Sequence, residues 1–402
     1  MTDALSTADA VARRSYGRLV AFLAARTGDV AAAEDALSEA FAAALVDWPL
    51  KGCPANPEAW LLTVARRKLI DAGRREQRNE PLVEGLAAAA AAPEIPDRRL
   101  ALLFACAHPA IETGIRAPLM LQVVLGLDAK LIASAFLTSP AAMGKRLVRA
   151  KNKIREAGIP FAIPEREELA GRLDTVLDAI YAAFAQGWTD PGGTDVVRRD
   201  LTGEALFLAR LVVELLPQEA EALGLLALVL HTDARRRARR NGHGEYVPLA
   251  EQDADLWDWQ MIDEAEALIR RAAALGSAGR YQLEAALQSA HVERRRTGRE
   301  NWGAVVQLYD ALFSIAGSPV VAINRALAIA EVHGAAAGLE AMPNGARLAE
   351  YQPYWAARAA LLARTGANDE AQHAYDMAIG LERDPAVRLF LQRRQAATQQ
   401  RL

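Results

Sequence analysis

The stretch "NPEAWLLTVARRKLIDAGRREQR", residues 56–78, decides the fold class. Asn56 suits a helix cap and Pro57 the first helical turn, where the missing N–H costs nothing. At 100° per residue, Leu61, Ala65, Leu69 and Ala72 fall within an arc of about 80°, a core stripe with the helical rather than the strand period. Trp60, Arg67, Arg74, Arg75 and Arg78 gather on the other side, with Asp71 among them. Two readings fit such a face. It is either a solvated cationic surface with a tryptophan packed on a neighbouring helix, or a surface on which a ring stacks against an unpaired base while guanidinium groups hold phosphates.

The same period recurs along the chain, as in Leu173, Val176, Leu177, Ile180, Tyr181 and Phe184, and strand-like alternation is scarce. The expected fold class is therefore all-α. With 402 residues, 52% of them hydrophobic, two or three packed domains are expected. No apolar run approaches the roughly 18 residues of a membrane span, and "MTDALSTADA" lacks the regions of a signal peptide, so the expected location is cytoplasmic, with no membrane partner. Cys53 and Cys106 are too few for a disulfide framework or a four-ligand zinc site; reduced thiols, no metal and no cofactor are expected. The net charge of −3 conceals a split. Residues 1–160 carry 21 Lys and Arg against 17 Asp and Glu, whereas residues 161–402 carry 26 against 33. Any nucleic-acid function thus belongs to the first part.

Punctuation divides the chain. A first helical block runs over 1–79, "NEPLVEGLAAAAAAPEIPD" supplies a linker over 80–96, a second block spans 97–160, and "GIPFAIPE" precedes a long helical region over 161–402. That last region contains a repeat: "LYDALFSIAGSP" (308–319) and "AYDMAIGLERDP" (374–385) align at an offset of 66 residues. Trp355, Gly366, Ala371, Tyr375 and Ala378 stand at tetratricopeptide spacings, and "PVVAINRALAIAEVHGAAAGLEAMP" (319–343) reads as a helix pair turning at Gly334. Repeats of this kind offer concave surfaces to proteins or peptides, so a protein or peptide partner is expected here.

"LDAKLIASAFLTSPAAMGKRLVRAKNKIREAGI" (127–159) resembles a helix-turn-helix. Asp128 caps a short helix, "LTS" turns, Ser139 caps and Pro140 opens the next helix. On that helix Met143, Leu147, Ala150 and Ile154 share a stripe of about 60°, and Lys145, Arg146, Arg149 and Lys153 project from the opposite side. Such a helix enters the major groove by its N-terminal end, which puts Ser139, Ala141, Ala142, Lys145 and Arg146 nearest the bases and Arg149 and Lys153 on the backbone. Between 126 and 160 there are seven basic and two acidic residues.

Taken together, the chain resembles extracytoplasmic-function sigma-70-type transcription initiation factors, in the branch with a tetratricopeptide-like C-terminal extension. "AEDALSEAFAAALVDWP" (33–49) is similar to the family's core-polymerase-binding helix, 56–76 to its promoter-melting helix, and 136–161 to its −35-reading helix-turn-helix. The resemblance implies that Glu34, Asp35, Glu39, Phe41 and Trp48 serve polymerase binding, the acids facing the β′ coiled coil, with the β flap a further contact. It implies that Asn56, Trp60, Arg66, Arg67, Lys68, Arg74 and Arg75 line −10 DNA, and that the acidic linker follows the RNA-exit path. Core RNA polymerase and promoter DNA are the implied partners, with no covalent chemistry and hence no enzyme activity. The chain departs from the family pattern at Ala72, Gly73 and Lys130; Gly73 raises the question whether the helix stops before Arg74 and Arg75. The competing reading is an operator-binding helix-turn-helix regulator with a tetratricopeptide sensor, which leaves the first 80 residues without a purpose.

Overall fold

A computed structural model describes residues 2–75, 96–136, 138–188, 196–276, 278–344 and 348–399. All regular structure among them is helical, apart from one isolated antiparallel bridge between Arg240 and Tyr246. The chain divides into two compact units, residues 1–188 with 197–208, and residues 189–196 with 209–402.

In the first unit, α1 (Thr2–Thr27), α2 (Val30–Lys51) and α3 (Pro57–Arg75) pack on one another. Asp29 caps α2 by accepting from the Ala32 N–H at 3.1 Å. Then follow α4 (Arg99–Cys106), α5 (Thr113–Leu125), α6 (Ala129–Ala135), α7 (Pro140–Glu156) and α8 (Arg166–Trp188). The run "LVAFLA", Leu19 to Ala24, is apolar on every side, and it is buried on every side because α1 packs against α2 and α3 and also against α4 and α5. Where α1 meets α5, Gly17 permits a backbone approach that no larger residue allows; a Cβ there would lie 1.9 Å from the Val124 carbonyl oxygen. Gly126 ends α5 in the left-handed conformation at φ 72°, beneath the Tyr16 ring. The two helical blocks that flank the linker therefore share one core. The linker itself lies, except for Pro96, outside the described residues. Beyond residue 160, α8 packs on α4 and α5, and Arg172 donates to the Phe104 carbonyl at 3.0 Å.

Helix α9 (Val196–Leu215) contributes to both units, and the second continues with α10 (Ala220–Asp233), three short 3₁₀ segments between 236 and 256, α11 (Trp259–Ala274), α12 (Arg280–Thr297), α13 (Trp302–Ala316), α14 (Pro319–His333), α15 (Ala335–Glu340), α16 (Gln352–Thr365), α17 (Asn368–Leu381) and α18 (Pro385–Gln399). From α12 onward each helix packs on the next in sequence. The pair turning at Gly334 is present as α14 and α15, with Gly334 at φ 87°. Of the five residues at repeat spacing, Ala371, Tyr375 and Ala378 are buried in one cluster with Trp355 packed against it, and Gly366 ends α16 at φ 80°. The last helix returns to the loop after α10. Arg393 pairs with Glu245 at 2.6 Å, Arg394 pairs with Glu251, Arg240 pairs with Asp384 at 2.6 Å, and Tyr246 and Phe390 meet edge to face.

Candidate nucleic-acid and polymerase interface

The cap expected at Asn56 is formed: its side-chain oxygen accepts from the Ala59 N–H at 3.0 Å. Helix α3 then runs through Gly73 to Arg75, so the backbone there is helical; side chains from Ala72 onward, Arg74 and Arg75 included, lie outside the described residues. Leu61 and Ala65 are buried as expected, and Leu62 joins them in place of the half-buried Leu69. Trp60 is half-buried and stands edge to face on Trp48, ring centres 5.5 Å apart. Arg67 and Lys68 are exposed, and Arg66 is half-buried. At the start of the helix Glu58 takes hydrogen bonds from Ser15 and Arg18, fastening α3 to α1. The structure thus brings Trp60, Arg66, Arg67 and Lys68 onto one helix beside a capped loop containing Cys53, Ala55 and Asn56, all exposed.

The five residues proposed on α2 separate into three environments. Asp35 and Glu39 are exposed, and Glu39 pairs with Lys68 of α3 at 2.7 Å. Phe41 is half-buried, and Trp48 is core at 2% exposure. Glu34 is buried at 7%, where one carboxylate oxygen accepts from the Tyr16 hydroxyl at 3.4 Å and the other from the Lys151 ammonium at 2.8 Å. Burial pushes its carboxyl above the usual range, against the opposing pull of Lys151, and the same burial with Glu34 nearby pushes the Tyr16 hydroxyl up. Leu45 faces outward at 49% exposure, with Val46 at 64% and Leu50 at 79%. A shallow groove of about 410 Å³ runs between Glu39, Ala42, Ala43, Val46, Asp47 and Lys68. Ala42 and Val46 went unremarked in the sequence, although Asp35, Glu39, Ala42 and Val46 stand at i, i+4, i+7 and i+11, the spacing of one helix face. An exposed strip of acids and aliphatics suits a helical partner bearing cations and apolar side chains.

On α7 the helix-turn-helix reading meets its geometry. Asp128 accepts from the Lys130 N–H at 2.6 Å at the head of α6, and Ser139 accepts from the Ala142 N–H at 3.2 Å at the head of α7. Met143, Leu147, Ala150 and Ile154 are all buried. Ser139, Ala141, Ala142, Lys145, Arg149 and Lys153 are exposed, while Arg146 is half-buried and bonds to Glu112 at 3.1 Å. The outward face therefore offers a helix N-terminus followed by three cations, an arrangement that draws phosphates to the helix and its first turn to base edges. Two of the seven basic residues counted between 126 and 160 pair with carboxylates at the start of α2 instead. Lys151 reaches Glu34, and Arg155 reaches Asp29 at 3.1 Å.

Both cysteines are free thiols, Cys53 exposed and Cys106 buried, and burial raises the Cys106 thiol. Among the described residues no helix is long and apolar enough to cross a membrane.

Comparison with known proteins bears on two segments of the chain. Residues 11–79 match sigma-70 region 2, which covers α2, the capped loop and α3. Residues 172–273 match DUF6596, a family of unknown function. The chain is similar over most of its length to an uncharacterized protein of Rhizobium meliloti (strain 1021), with 39% identity over 364 residues that cover 87% of this chain and 86% of the relative. No solved structure matches. Sigma-70 region 2 implies core RNA polymerase and promoter DNA as partners and a role in transcription without catalysis of its own. With region 2 at its N-terminus and the DUF6596 domain after it, the chain belongs to the sigma-70 family, as a factor with a C-terminal extension.

Proposed function

We propose that the protein is an extracytoplasmic-function sigma factor: it binds core RNA polymerase through α2, reads and opens the −10 element with α3 and the preceding loop, and reads the −35 element with α7. The observation that carries this reading is the region 2 match across α2 and α3, where an exposed acidic and aliphatic strip and a tryptophan-containing basic helix lie side by side. Asp35, Glu39, Val46 and Leu50 are the polymerase-facing residues. Trp60, Arg66, Arg67, Lys68, Arg74 and Arg75 take the melted strand, with Asn56 shaping the loop. Opening costs a few kcal/mol of unstacking per flipped base, which aromatic stacking and phosphate contacts offset. Ser139, Ala141, Ala142, Lys145, Arg146, Arg149 and Lys153 form the −35 reader.

The second unit acts in the cytoplasm as a tetratricopeptide-like regulatory domain. The helix-by-helix packing from α12 to α18 and the buried small residues Ala371, Ala374 and Ala378 support that assignment. The test is promoter-selective run-off transcription with purified core enzyme and the full chain. A specific transcript that requires the protein supports the reading; no transcript together with no capture of core enzyme refutes it. Transcription unchanged by removal of 209–402, which keeps the whole first unit, would end the regulatory assignment alone.

A further inference from the structure

We propose that the second unit holds a recessed binding site for a small oxyanion, a phosphate or carboxylate group, built around Arg235 with Gln288 and His291 of α12 beside it. The stretch "ARRRARR", residues 234–240, places five arginines just after α10. Arg236 pairs with Asp233 and Arg240 with Asp384, each at 2.6 Å, Arg237 is exposed, and Arg239 is half-buried. Arg235 is the one turned fully inward, at 7% exposure. Its Nε donates to the His231 carbonyl at 3.1 Å, and a terminal nitrogen donates to the Gln288 side-chain oxygen. Both acceptors are neutral, and among the described residues no carboxylate pairs with this guanidinium. Glu266 of α11, which faces α10, is taken by His231 at 3.4 Å.

The buried charge is retained. Burial, with Arg239 nearby, pushes the Arg235 guanidinium down to about 10, which still leaves it ionised at neutral pH. Two of its five N–H groups are satisfied and three are left over. The C-terminal carbonyls of α10 supply only the fractional charge of a helix end. An ion buried without a counter-ion is costly, and an uncharged side chain of similar length would fill the same space, so the retained charge points to an anion brought from outside.

His291 adds a second donor. Arg294 donates to its Nδ1 at 2.9 Å, and a guanidinium cannot accept, so the neutral ring carries its hydrogen on Nε2. Three residues separate His291 from Gln288, which puts both on one face of α12, the face that Arg235 meets. Burial, with Arg294 and Arg235 close by, keeps the imidazole neutral at pH 7. The surroundings of Gln288 are thus rich in donors and poor in acids, and the planar fork of Arg235 matches the paired oxygens of a phosphate or carboxylate. Arg235 falls within the segment 172–273 that matches DUF6596, whereas Gln288 and His291 lie beyond it, so an oxyanion there would tie the turn after α10 to α12. The site holds whether or not this unit regulates transcription.

The test is calorimetric titration of the full chain with inorganic phosphate and, separately, with acetate, sodium chloride holding the ionic strength constant. The basic face of α7 also attracts phosphate, so the heat that counts is the part removed by variants of the second unit. Arg235→Gln keeps a hydrogen-bonding side chain without its charge and should weaken binding at this site about tenfold or more. Gln288→Glu sets a permanent carboxylate against Arg235; it should weaken binding likewise and, in chloride buffer alone, raise Tm by about 2–4 °C. In the wild type, phosphate or acetate at about ten times its Kd should raise Tm by about 3–6 °C and then saturate. Stabilisation by ion exclusion, in contrast, does not saturate and is shared by the variants. A response to phosphate alone assigns a phosphate-bearing ligand, and a response to acetate alone a carboxylate-bearing one. Titrations unchanged by the variants, or a Gln288→Glu protein that melts no higher than wild type in chloride, would overturn the site; should Arg235→Gln fail to fold, Gln288→Glu decides by itself.

Discussion

Replacing Gly17 by Ala gives a test whose sign alone is informative. Gly17 lies inside α1, where an alanine ordinarily stabilises a helix by about 1 kcal/mol relative to glycine. In this structure the new methyl group would meet the Val124 carbonyl oxygen at 1.9 Å, and ordinary contact begins at 3.4 Å, so α1 and α5 must part by about 1.5 Å. The obstruction is backbone, which cannot swing aside as a long side chain does. A gap of that size forfeits well over half of the dispersion energy along the seam, and overpacking of this kind costs about 1–3 kcal/mol. Because the obstruction is backbone, the cost falls in the upper half of that range, about 2–3 kcal/mol, and the helical gain of about 1 kcal/mol leaves a net loss of about 1–2 kcal/mol, seen as a fall in Tm of about 2–8 °C for a unit of this size. Gly144, inside α7, is the matched control, because a Cβ there meets nothing within 4 Å. Gly144→Ala should therefore stabilise by about 0.5–1 kcal/mol. Calorimetry of both variants in the full chain decides the matter. A Gly17→Ala protein as stable as wild type, or more so, would refute the close approach of α1 to α5 in solution, and with it the shared core of the two N-terminal blocks.

Other perturbations act on single surfaces. Lys145→Ala with Arg149→Ala removes two exposed cations from α7 and should weaken binding to promoter DNA while lowering the slope of log K against log salt by about 2, measured by fluorescence anisotropy over a salt series. Val46→Asp, on the exposed strip of α2, should cut core-enzyme affinity by about tenfold or more with no change in Tm, since its side chain has little packing to lose. Ser139→Ala deletes the cap of α7 and should cost about 1 kcal/mol of stability, read from chemical denaturation. His291 is an acid-sensitive group of the second unit: burial, reinforced by Arg294 and Arg235, pushes its imidazole down to about 4. The unfolded chain takes up that proton near the ordinary value of about 6.5, so stability is full above about pH 6.5 and falls by about 2–3 kcal/mol as pH drops towards 4. His291→Asn should flatten that part of the stability profile even if it lowers stability throughout; an unchanged slope would show that His291 is not buried neutral.

Much of this was legible before any coordinates. Local rules suffice for features whose causes are local. The cap at Ser139, the proline after it, the buried stripe of Met143, Leu147, Ala150 and Ile154, and the turn at Gly334 all stand where spacing puts them, because capping and amphipathicity depend on residues within two turns. Helix continuity through Gly73 went the other way from the expected weakness, since a single glycine costs about 1 kcal/mol and neighbouring residues can carry it.

Charge and apolarity on α2 and α7 were read from the sequence as two independent surfaces, a polymerase face and a DNA face. Periodicity says which residues share a side of a helix, but not what stands opposite that side. Only the tertiary structure decided that Trp48 is core while Leu45, Val46 and Leu50 are surface, and that Trp60 leans on Trp48. The same holds for Glu34 and Lys151, 117 residues apart, which form a buried pair rather than two solvent-facing contacts. The sequence alone determined an all-helical chain with a capped, basic, amphipathic helix at Pro140–Glu156, since propensity, caps and period are written into neighbouring residues. Which charges remain available for partners was decided by packing between distant segments, because an ion pair removed from water depends on a neighbour that no local pattern specifies.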